Sequence, residues 1–193
     1  MNLYYIGKLL VGIYLRIIYR IQVVGKEHVP KSGPVIICSN HISNWDPPLV
    51  GVTCPRPIHF MAKEELFRNR FIGGLLKRLQ AFPIKRGMKD RNALRQGLDI
   101  LKDGKTLGLF PEGTRSKTGE IGEGLAGAGF FASRSSATVI PCAIIGPYEK
   151  LKPLRVIYGK PIAMQELRDK KANAQEVTDA IMGDIKKLLD QHK

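Results

Sequence analysis

Apolar residues along this chain come in short runs of four to eight, separated by longer stretches with a helical repeat. The runs Val35–Cys38, Ile58–Met61, Phe82–Lys85, Thr106–Phe110, Thr138–Ile145 and Arg155–Tyr158 are bounded by glycine, proline or polar residues, which predicts strands. Between them, Pro47–Val52 predicts a short helix with Asp46 as its N-cap and Pro47 in its first turn. Lys63–Leu79 predicts a helix broken at Gly73-Gly74, and Arg91–Leu101 one with Leu94, Leu98 and Leu101 on a single face. Gly124–Ser133 is rich in small residues suited to close packing, and Gln165–Lys193 closes the chain as a helix carrying Leu167, Ile181, Ile185 and Leu188. Alternating strands and helices predict one α/β domain, a partly parallel central sheet flanked by helices. At 193 residues, with no repeat or low-complexity linker, one core suffices.

The first residues follow a different pattern. Leu3 to Val24 is mostly apolar, but Lys8, Arg16 and Arg20 recur with Gly12 within a sector of about 120° on a helix. The opposite face carries Leu3, Tyr5, Ile6, Leu9, Leu10, Ile13, Ile17 and Tyr19. The longest uncharged stretch, Leu9 to Leu15, falls far short of the roughly 20 residues that span a bilayer. Cations persist through the apolar part and no small-residue cleavage site follows, so a secretory signal is a poor fit. The expectation is an amphipathic helix lying in the membrane interface, residues 1–25, ahead of a folded domain at 26–193. A helix packed on its own domain is the alternative.

Charge sharpens this picture. Lys plus Arg is 31 against 17 for Asp plus Glu, a net charge of +14, and Met61 to Phe110 alone carries 12 cations and 5 anions. Such an excess implies an acidic partner: nucleic acid, an anionic membrane surface or a phosphorylated substrate. A nucleic-acid binder would interleave aromatic residues with its cations in a recognisable module. Only Phe82 beside Lys85-Arg86 hints at that. Cys38, Cys54 and Cys142 are odd in number and widely spaced, which points to free thiols in a reducing compartment. With four histidines and no paired cysteines, no metal site is expected.

Two stretches carry candidate chemistry. In Asn40-His41-Ile42-Ser43-Asn44-Trp45-Asp46-Pro47-Pro48, a histidine and a carboxylate five positions apart follow a strand. On a regular helix those positions diverge by about 140°. A turn leaving the strand would let Asp46 reach one ring nitrogen and leave the other free for general-base work. A capping aspartate beside an incidental histidine has the same spacing. In Phe110-Pro111-Glu112-Gly113-Thr114-Arg115-Ser116, a strand leads into a sharp turn at Gly113. Arg115 there offers a planar fork suited to phosphate. Thr114 and Ser116 add hydroxyls, and Glu112 could accept from a glycerol hydroxyl or pair with an arginine. Phe82-Pro83-Ile84-Lys85-Arg86-Gly87 ends a strand in two cations. Lys63 follows another strand, and Val139-Ile140-Pro141 reads as a buried strand shaping a pocket.

These four blocks, in this order from Asn40 to Gly146, resemble the glycerolipid acyltransferase family that includes 1-acyl-glycerol-3-phosphate acyltransferases. Its pattern is NHxxxxD, a Phe-x-x-(Lys/Arg)-Arg block, PEGTRS and an apolar Val-Ile-Pro block. The resemblance implies that His41 is the catalytic base and Asp46 its orienting partner. It places Lys63, Arg86 and Arg115 near the acceptor phosphate and Glu112, Gly113 and Thr114 near the acceptor. It also implies an acyl thioester as donor, acyl-CoA or acyl carrier protein, with no cofactor beyond that substrate. The implied partners are a membrane lipid and an anionic membrane surface, with the enzyme peripheral on the cytoplasmic face. Acceptors open on these residues are lysophosphatidate, glycerol-3-phosphate, a lysophospholipid or another lipid precursor.

Overall fold

The computed structural model describes residues 3–85 and 90–192. Fifteen elements follow in chain order: α1 Leu3–Ile18, β1 Arg20–Val24, β2 Val35–Ser39, α2 Asp46–Thr53, β3 Ile58–Lys63, α3 Glu65–Arg68, α4 Arg70–Arg78, β4 Ala81–Ile84, α5 Arg91–Lys102, β5 Thr106–Leu109, α6 Gly127–Arg134, β6 Thr138–Ile145, β7 Pro153–Tyr158, α7 Met164–Asp169 and α8 Ala174–His192. The strands form one seven-stranded sheet in the order β1-β7-β6-β2-β5-β3-β4. Every pairing is parallel except that of β6 with β7. The α/β architecture with a mostly parallel sheet is the one the strand and helix pattern predicts.

Because side chains alternate across a strand, β2 feeds two cores at once. Val35 and Ile37 pack with Leu15 of α1 and Leu49 and Val50 of α2, together with Ile140, Ile144 and Val156. Ile36 and Cys38 pack on the other face with Leu101 of α5, Phe131 of α6 and Ile181 and Ile185 of α8. The sheet is therefore covered on both faces, and β2 is buried along its whole length.

Three helical expectations shift. The N-terminal helix ends at Ile18 rather than Val24, and Arg20–Val24 joins the sheet edge beside β7. The break in Lys63–Leu79 falls at Asn69, not at Gly73-Gly74. The Asn69 side chain accepts from the N–H groups of Phe71 and Ile72 and so caps α4. Gln165–Lys193 is two helices, separated where Lys171 takes a φ of 51°.

Candidate active site

Loops that leave the carboxyl ends of parallel strands gather along one edge of the sheet. Here β6, β2, β5, β3 and β4 are consecutive parallel neighbours. They deliver, in that spatial order, Tyr148, His41, Glu112 to Arg115, Lys63 and Lys85 to the same edge. The blocks that lie far apart in the sequence are brought together by strand order.

The first loop is built around two polar side chains. Asn40 donates through Nδ2 to the Ile144 carbonyl at 2.9 Å and accepts the Ile144 N–H at 2.7 Å, a side-chain rung tying the end of β2 to β6. The chain then turns so that His41 Nδ1 meets Asp46 Oδ2 at 2.7 Å. The same carboxylate oxygen accepts the N–H groups of Ile42 and Ser43 at 2.6 and 2.7 Å. The Tyr148 hydroxyl donates to Oδ1 at 2.6 Å. Asp46 is 0% exposed. Burying an ion costs several kcal/mol unless donors compensate, and four donors surround this one. Asp46 is not the N-cap of α2: Trp45 holds that position, and the aspartate, in the first turn, points back into the loop. Pro47 and Pro48 open the helix, because the first turn needs no amide donors.

With Nδ1 donating to a carboxylate, the neutral ring presents its lone pair at Nε2. Among the described residues Nε2 has no hydrogen-bond partner. The ring is stacked on Phe110 at 4.2 Å and 23°, and Phe110 in turn lies 5.9 Å from Phe60 at 15°. His41 is 7% exposed, enough for a reactant to touch one edge.

The loop after β5 grips the histidine by its backbone. Glu112 Oε1 accepts the His41 N–H at 2.8 Å, and the Ser116 N–H donates to the His41 carbonyl at 2.8 Å. Gly113, at φ 66°, makes the reversal between them, a conformation that costs a side-chain-bearing residue more. The second Glu112 oxygen accepts the Gly122 N–H at 2.9 Å. Each Glu112 oxygen thus accepts one backbone amide. Thr114 and Arg115 are exposed and, with Ser116, Gly122 and Glu123, line a cleft of about 330 Å³ next to the His41 loop. Arg115 makes no ion pair among the described residues. Lys63 is exposed at the end of β3, while Lys85 lies 3.7 Å from the Glu64 carboxylate. Arg86 lies outside the described residues.

Two contributors carried no signal of their role. Asn40 stands in the motif but its rung to Ile144 is visible only in three dimensions. Tyr148 lies beyond the apolar block, and nothing in its neighbourhood marks it as a partner of Asp46. Two thiols near the loop are poor nucleophiles: Cys38 and Cys142 are fully buried, and burial pushes the Cys38 thiol up to about 12 and that of Cys142 higher still. Ser39 Oγ is buried as well.

Known proteins resemble this chain in sequence and in fold. The sequence model of the acyltransferase family matches residues 20–145. A 1-acyl-sn-glycerol-3-phosphate acyltransferase of Bacillus subtilis is 33% identical over 183 residues, which is 89% of this chain and 90% of the relative. The chloroplastic 1-acyl-sn-glycerol-3-phosphate acyltransferase LPAT1 of Arabidopsis thaliana is 31% identical over 82% of this chain, and the match spans 48% of that relative's length. The crystal structure of a 1-acyl-sn-glycerophosphate acyltransferase from Thermotoga maritima superposes with a TM-score of 0.76 at 22% identity, covering 98% of this chain and 78% of that one, so the fold is shared.

Proposed function

We propose, from the premise that this chain belongs to the acyltransferase family, that it moves a fatty acyl group from an acyl thioester to the free hydroxyl of 1-acyl-glycerol-3-phosphate, making phosphatidic acid. The observation that carries the reading is the His41–Asp46 pair, clamped to the loop that presents Arg115. The acceptor is taken from the names of the relatives.

In this mechanism Nε2 of His41 removes the hydroxyl proton as the oxygen attacks the thioester carbonyl. Asp46 keeps the ring in the required tautomer and stabilises the imidazolium. The tetrahedral intermediate collapses with a new C–O bond formed and the C–S bond broken, and the proton held on His41 passes to the departing thiolate. No acyl-enzyme is needed. Arg115, Lys63 and Arg86 hold the acceptor phosphate, and Thr114 adds a hydroxyl beside it. Glu112 and Gly113 act by shaping the loop. The donor is acyl-CoA or acyl carrier protein, and the latter, being acidic, suits a chain of net charge +14. No cofactor takes part.

The same reading places the protein peripherally on the cytoplasmic face of an anionic membrane. Among the described residues no helix is long and apolar enough to cross a bilayer. On α1, however, Leu9, Leu10, Ile13, Tyr14 and Ile17 are exposed, while Lys8 turns inward to bond the Cys54 carbonyl. On α4, Phe71 is 90% exposed beside Ile72 and Leu75, with Arg68, Arg70, Lys77 and Arg78 around them. Apolar side chains outward and cations at the flanks suit a lipid interface.

The test is purified protein in detergent with lysophosphatidate and either donor, products identified by mass. Phosphatidate is expected from wild type, at a rate at least about 10³-fold lower from His41→Ala. Near-normal turnover in that variant ends the mechanism. Faster reaction with glycerol-3-phosphate or a lysophospholipid reassigns the acceptor.

A further inference from the structure

We propose that Tyr148 is a positioning residue of the His41–Asp46 pair, holding the outer oxygen of the carboxylate and thereby setting the basicity of the His41 ring. For its kinetic arm this rests on the acyltransferase mechanism above. Its structural arm does not.

Asp46 Oδ2 already serves His41 Nδ1 and the N–H groups of Ile42 and Ser43. Oδ1 has a single donor among the described residues, the Tyr148 hydroxyl at 2.6 Å. Because Asp46 is fully buried, that bond helps to set how much negative charge the carboxylate directs at the imidazole. The phenol is itself held in place. Its ring meets the ring of Tyr19 edge-on, with centroids 5.5 Å apart and planes at 90°. Tyr19 follows α1, and the loop that carries Tyr148 is tied to the end of that helix where the Leu151 N–H donates to the Ile18 carbonyl at 2.7 Å. Tyr148 therefore joins three parts of the fold: the end of β6, the end of α1 and the histidine loop.

Burial and the adjacent Asp46 charge raise the Tyr148 phenol well above its ordinary value, so it stays a proton donor throughout the working range. The other titratable groups facing the pair are Glu112, which takes the His41 N–H from the β5 loop; Cys142, fully buried on β6; and Tyr19 behind Tyr148. Cys142 is protonated at neutral pH because burial raises its thiol. Among the described residues, Tyr148 is the one of these groups that donates to Asp46.

Withdrawing the hydroxyl leaves more charge on the carboxylate and stabilises the imidazolium, so the His41 pKa should rise. Tyr148→Phe keeps the ring against Tyr19 and removes only the donor. The His41 ring is titrated by NMR in detergent micelles, in wild type and variant, without substrate. An upward shift of roughly half to one pH unit is expected. In turnover with lysophosphatidate, the acidic limb of the kcat profile should move up by the same amount. kcat below that limb should fall by up to about threefold to tenfold, with KM for the acceptor unchanged within about twofold. Superimposable titrations overturn the proposal, because a purely structural tyrosine would lower stability without moving the ring's pKa. If Tyr148→Phe does not fold, 3-fluorotyrosine at position 148 keeps both ring and hydroxyl. As a stronger donor it should lower the His41 pKa, and an unchanged value rejects the role. Should the protein show no acyl transfer at all, the ring titration still decides this inference, while the mechanism fails separately.

Discussion

The His41 loop and the outer face of α1 are opposites. Around His41 and Asp46, polar groups are buried and almost every one has a partner within the chain. On α1, apolar groups such as Leu9, Leu10, Ile13 and Ile17 are exposed, although the same helix turns Lys8 toward the domain. The first region is complete as folded: its geometry is over-determined by backbone and side-chain bonds. The second is the inverse of a soluble surface helix and is satisfied only by an apolar surrounding from outside. Trp45 stands where they meet, inside the histidine loop yet with its ring 5.4 Å from that of Tyr14 on α1.

The contrast can be broken most sharply at Asp46. Asp46→Asn keeps the shape but turns an amide toward donors that need an acceptor. kcat should fall by about 10³-fold, with about 2–4 kcal/mol of stability lost in urea unfolding. A variant with full stability would show that the buried bonds are not what holds the loop. The outer face should answer in the reverse manner. Leu10→Asp with Ile13→Asp should weaken sedimentation with anionic vesicles at least tenfold. Unfolding free energy should stay within about 0.5 kcal/mol, since both positions are exposed. Unchanged vesicle binding would assign that face to something other than lipid. The smallest effect is expected at Arg115, which is exposed like α1 but belongs to the clamped loop. Arg115→Ala should raise KM for the phosphorylated acceptor about fivefold to tenfold and leave kcat within about threefold. An unaltered KM would remove it from the phosphate site.

What could be read from the sequence divides along the same line. Six strands and the histidine–carboxylate pair were readable because local pattern and local geometry agree there: β2 is apolar from Val35 to Cys38 and buried throughout, and five residues are enough for a turn to close on itself. β1 was hidden inside an apolar N-terminal run. Its exposure alternates and its sheet neighbour is β7, far along the chain, so tertiary pairing decided between helix and strand. The break at Asn69 rather than at the two glycines reflects a capping side chain prevailing over intrinsic propensity. Tyr148 and the amide partners of Glu112 were beyond reach because their bonds cross between loops whose adjacency exists only once the sheet has ordered its strands.

Gly108, in the middle of β5, leaves the space into which the ring of Phe60 fits. A β-carbon there would come within 2.3 Å of that ring. Since Phe60 supports Phe110 and Phe110 supports the imidazole, the column of three aromatic planes stands on a missing methyl group. Gly108→Ala would tilt the column from its base, misaligning the imidazole at its top from three residues away in space.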